Sequence, residues 1–61
     1  MTKSHARDVK TIRLHAAIGN TEAAALGLSA LIRSALRAGD RAELLAVAAE
    51  LGLVNHPDFV V

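Results

Sequence analysis

Sixty-one residues are enough for one domain with one modest core, so residues 1–61 are read as a single small unit. The lack of cysteine excludes disulfides and thiolate metal sites, and a net charge of +1 removes any global electrostatic case for nucleic acid or membrane. The chain is 52% hydrophobic, but much of that is alanine and Phe59 is its sole aromatic, which makes a thin core for a monomer and points to self-association.

The opening segment is basic: Lys3, Arg7, Lys10 and Arg13 stand against Asp8 within residues 1–13. From Val9 to His15 two periods compete. A period of two sets Thr11, Arg13 and His15 on one side and Ile12 and Leu14 on the other, as in a short strand. A helix also fits, with Val9, Ile12 and Ala16 on one face and Ala16-Ala17 favouring helix. If residues 3–18 are helical, Lys3, Arg7 and Lys10 form one basic edge, able to touch phosphates or to stand as an ordinary solvated face. Gly19-Asn20 breaks whatever precedes it.

A helix is predicted over about 21–38. Asn20 or Thr21 caps its start, Glu22 suits the positive end of its dipole, Arg33 and Arg37 suit the other end, and Gly39 is the expected left-handed stop. Ala24, Leu28, Leu31, Ala35 and Ala38 line its apolar side. A second helix is predicted over about 40–51, with Asp40 as N-cap and Glu43 three residues later in a box-like start. Leu44, Leu45, Ala48 and Leu51 form its stripe, and Gly52 ends it. The tail cannot extend that helix, because Pro57 lacks an N–H and restricts His56. Phe59-Val60-Val61 is apolar and either docks on the chain's own helices or contributes to a dimer contact.

The stretch Thr11-Ile12-Arg13-Leu14, followed by Gly27-Leu28-Ser29-Ala30-Leu31-Ile32-Arg33-Ser34-Ala35-Leu36-Arg37, resembles the ribbon-helix-helix family of dimeric DNA-binding regulators over about residues 9–39. The resemblance implies an N-terminal strand that pairs with its symmetry mate and enters the major groove. It would place Thr11 and Arg13 on base edges, Ile12 and Leu14 inward, and the backbone N–H groups near Leu28 to Ala30 on a phosphate. A small homodimeric transcription regulator of plasmid, phage or antitoxin type would follow, with Lys10, Thr11, Arg13 and Ser29 toward DNA. Ala23, Gly27 and Ser29 also resemble the Ala-x-x-x-Gly-x-Ser spacing of a helix-turn-helix. There the inward position six residues after the glycine should be apolar, yet it is Arg33, so a continuous helix through Gly27 is the competing expectation.

Chemistry finds no foothold. The hydroxyls and acids serve as caps or surface groups, no glycine-rich phosphate loop is present, and no histidine has a partner that would activate a nucleophile. No catalytic residue, cofactor or metal site is expected, and His5, His15 and His56 fall in three separate segments. The apolar stretch from Ala23 to Ile32 is about half of what a membrane span needs, and Asn20-Thr21-Glu22 interrupts any secretory start, so a cytoplasmic location is expected. The expected fold is all-α in bulk, with the N-terminal segment either a third helix or a short ribbon strand, in a homodimer. The alternative to DNA binding is a helical interaction module that binds itself or a partner protein. Its contacts would come from Ile12, Leu14, Leu28, Leu31, Leu44, Leu45 and Leu51.

Overall fold

The structure is a computed structural model that describes residues 2–61. Three helices follow one another: α1 (Lys3–Ala17), α2 (Thr21–Ser34) and α3 (Ala38–Glu50), and no strand occurs among the described residues. Residues 9–14 therefore lie inside α1, and of the two periods it is the helical one that forms. The deciding factor is burial. His5 is half-buried, Val9 and Ile12 are buried and Ala16 is half-buried, at spacings of four, three and four, so one helical stripe faces the rest of the chain. On a helix, residues two apart are separated by about 200°, so Ile12 and Leu14 cannot share a face. Ile12 is accordingly in the core, while Leu14 is 60% exposed.

The helix ends have local causes. Thr2 opens α1, its hydroxyl accepting the His5 N–H at 3.1 Å, and Asn20 opens α2, its side chain accepting the Ala23 N–H at 3.3 Å. The closings of α1 and α3 are the same device. Gly19 (φ 86°) and Gly52 (φ 71°) take the left-handed conformation. In α1 the Gly19 and Asn20 N–H groups then return to the Ala16 and His15 carbonyls, and in α3 those of Gly52 and Leu53 return to Ala49 and Ala48. Leu53 is delivered by this turn straight into the core.

The corner between α2 and α3 differs from the expected one. Gly39 is not a stop: it lies inside α3 and has no positive φ. α2 ends four residues before the expected boundary because Ala35 turns into extended backbone (ψ 125°) and buries itself in the core. Asp40 is not the N-cap either. Arg37 occupies that position without a side-chain cap bond, and Asp40 sits in the first turn of α3, buried, where the helix dipole favours an acid.

α2 packs against both other helices. At one end of α1, His5 Nδ1 lies 4.0 Å from the Asp40 carboxylate of α3; at the other, Arg13 of α1 pairs with Glu50 of α3. The two helices therefore run parallel, with α2 antiparallel to both. The core they enclose is aliphatic, with Leu28, Ile32, Leu44 and Leu53 its largest fully buried side chains. The tail folds back over it, and Phe59 packs against its edge.

Candidate interaction surface

α2 is the helix around which any surface must be built, because its sequence is apolar on nearly every side. Among its 14 residues, Glu22 and Arg33 are the charged ones. A helix apolar all round belongs inside a bundle. One side of α2 meets that expectation: Ala24, Ala25, Leu28, Ser29, Leu31 and Ile32 are buried. The other side does not. Leu26 is 56% exposed and Ala30 is exposed, while Ala23 and Gly27 are half-buried.

Two features flank this outer face. On one side a cleft of about 460 Å³ separates α1 from α2, with Asp8, Thr11 and His15 on the α1 wall and Ala23, Ala30 and Ser34 on the other. On the opposite side runs the tail, held by its backbone. The Val60 N–H donates to Ser29 Oγ at 3.0 Å, and the Arg33 guanidinium donates to the Val60 carbonyl at 2.9 Å. Ser29 Oγ in turn donates to the Ala25 carbonyl at 2.7 Å, so its hydroxyl is used in both directions inside the protein. Because Leu26 and Ala30 neighbour Ser29 and Arg33 on the helix, exposed Val60 and Val61 extend the same apolar surface.

The residues expected to face DNA are dispersed. Lys10 is exposed on α1, on the edge shared with Lys3 and Arg7. Thr11 stands in the cleft wall and donates its hydroxyl to the Arg7 carbonyl at 3.3 Å. Arg13 points the other way, toward α3, and is paired with Glu50. Thr11 and Arg13 would lie on one side of a strand, but α1 puts them on different sides. Ser29 is 1% exposed and lies beneath the tail, and continuous helix through residues 28–30 commits their N–H groups within α2.

The residues expected to form contacts divide in two. Ile12, Leu28, Leu31 and Leu44 belong to the chain's own core, Leu51 is half-buried against it, and Leu14 and Leu45 are exposed. Periodicity did not single out Leu26, Ile18 and Leu36, which are 56%, 77% and 99% exposed. For Leu26 the available signal was the scarcity of charge in α2: two charged residues in 14 cannot supply a polar outer face.

Among the described residues two acid–histidine pairs occur, His5 with Asp40 and His56 with Asp58, the latter at 3.9 Å. They stand apart on different elements, and no group of three or more His, Asp or Glu among the described residues is placed to hold a metal ion. No described helix is long and apolar enough to cross a membrane. Comparison with protein-family models, with curated proteins and with solved structures gives no match for this chain.

Proposed function

We propose that this chain is a helical protein–protein interaction module that acts by self-association, with the outer face of α2 at its contact surface. The observation that carries this is the asymmetry of α2: apolar around its circumference, yet covered by its own chain on one side. Exposed apolar atoms are normal on proteins, but a continuous run rimmed by charged residues marks contact surfaces. Here Leu26, Ala30, Val60 and Val61 form the run, with Glu22 and Arg33 at its ends. A core of aliphatic side chains in so short a chain supports the same reading, since oligomerisation is the ordinary supplement where disulfides are absent. Light scattering over a concentration series tests it. A mass above that of one chain, falling on dilution, is the expected outcome, and a monodisperse monomer throughout would overturn it.

A second reading has its own support. Lys3, Arg7 and Lys10 are exposed along one edge of α1, and no ion pair to any of them occurs among the described residues. Such an edge suits the phosphate backbone of duplex DNA, as in a dimeric regulator, without base readout from Thr11 and Arg13. Binding to mixed-sequence duplex at low salt, weakening with log[salt] at a slope near −0.9 per phosphate contact, is the signature; no binding at low salt sets it aside.

A further inference from the structure

We infer that α2 pairs with α2 of a second copy of this chain in antiparallel fashion, about a twofold axis that crosses its outer face between Leu26 and Ala30. The inference rests on the self-association proposed above and specifies its geometry. Glu22, Leu26, Ala30 and Arg33 follow at spacings of four, four and three, and all four are exposed. They make one stripe that reads acid, apolar, apolar, base. Its ends are eleven residues apart, about three turns or 16 Å, too far for Glu22 to pair with Arg33 of the same chain.

A stripe of this kind is complementary to its own reverse. Under a twofold axis Glu22 lies opposite Arg33 of the second copy, and Leu26 opposite Ala30 of the second copy, with the same contacts repeated on the other side. A parallel arrangement sets Glu22 against Glu22 and Arg33 against Arg33, and like-charge juxtaposition disfavours it. Ala30 lacks bulk and permits close approach of the two helices. Arg33 keeps donors for this role, since its bond to the Val60 carbonyl engages one nitrogen of a group with five N–H donors. The outer edge of α1 offers no such match: Lys3, Arg7 and Lys10 carry one sign and would repel their own copies.

The test is sedimentation equilibrium of the full chain and of Glu22→Arg, Arg33→Glu, the double variant, and an equimolar mixture of the two single variants. Each single variant should raise the dimer dissociation constant roughly tenfold, the scale of exposed ion pairs turned repulsive. The double variant and the mixture should return to the wild-type constant, because both restore opposite charges across an antiparallel pair. Single variants that dimerise like the wild type, or a mixture no tighter than either alone, would overturn this register while leaving self-association standing. A wild-type chain that stays monomeric overturns both. Circular dichroism of each variant separates lost pairing from lost helix. Leu26→Glu, which keeps Glu22 at the helix start and Arg33 on the tail, should also dissociate the dimer; if it does not, the stripe is not the contact.

Discussion

α1 and α2 each bury one stripe of side chains, yet they treat their outer faces in opposite ways. α1 carries Lys3, Arg7 and Lys10 outside and turns apolar near its end, at Leu14 and Ile18. α2 carries Leu26 and Ala30 where α1 carries cations. A charged outer face makes a helix self-sufficient in water, whereas an apolar one leaves a helix dependent on what covers it. The difference also shows in how each is tied down. Both are held by buried contacts, but α1 adds polar links to α3, Arg13 to Glu50 and His5 beside Asp40, while α2 adds a tail laced to Ser29 and Arg33.

Substitutions along α2 sharpen this contrast between inner and outer faces. The largest effect is expected at Leu28, fully buried between the helices: Leu28→Ala should cost about 2–5 kcal/mol by removing transfer energy and leaving a cavity. Urea denaturation at fixed protein concentration measures it, because association would otherwise shift the apparent stability. Ser29 marks the border with the tail. Ser29→Ala deprives the Val60 N–H of its acceptor and should cost about 1–2 kcal/mol, with faster hydrogen exchange at the Val60 amide as its specific sign.

Gly27 marks the other border, and there the expected sign reverses. A Cβ built on it meets Ile12 Cγ1 at 3.4 Å, an ordinary contact with a side chain, and the glycine has no positive φ. Gly27→Ala should therefore stabilise the fold by roughly 0.5–1 kcal/mol, the helix propensity difference, seen as a higher midpoint in thermal unfolding. A loss instead would mean that Ile12 cannot yield. The smallest effect on the single chain is expected at Leu26. Leu26→Ala should change stability by less than about 0.5 kcal/mol at dilution, as surface substitutions do. The same change should weaken self-association in a concentration series, and equal behaviour of wild type and variant there would erase the distinction between the two faces.

Much of the backbone plan was written in single residues. Asn20 caps α2 by its side chain, Gly52 closes α3 in the left-handed conformation, and the chain runs helically through Gly27. These follow from local chemistry: a side-chain oxygen three bonds from Cα, a missing Cβ, a tolerable interior glycine. The inner stripe of α2 was likewise visible in Ala24, Leu28 and Leu31, and that of α3 in part: Leu44 and Ala48 are buried, but Val47 is buried where Leu45 was expected and Leu45 is exposed.

Tertiary structure decided what local chemistry left balanced. Val9 to Leu14 satisfied two periods equally well, and the choice of helix came from a hydrophobic surface on α2 able to receive Val9 and Ile12 together. The corner at 35–40 went against its glycine because burying Ala35 and placing Asp40 beside His5 involve residues distant in the chain. Arg13 and Ser29 changed character for the same reason. One met Glu50 and the other met Val60, partners 37 and 31 residues away that no local pattern contains. Composition determined that α2 has too few charges to clothe itself; three-dimensional packing alone settled which of its faces is left uncovered, because that depends on where α1, α3 and the tail come to rest.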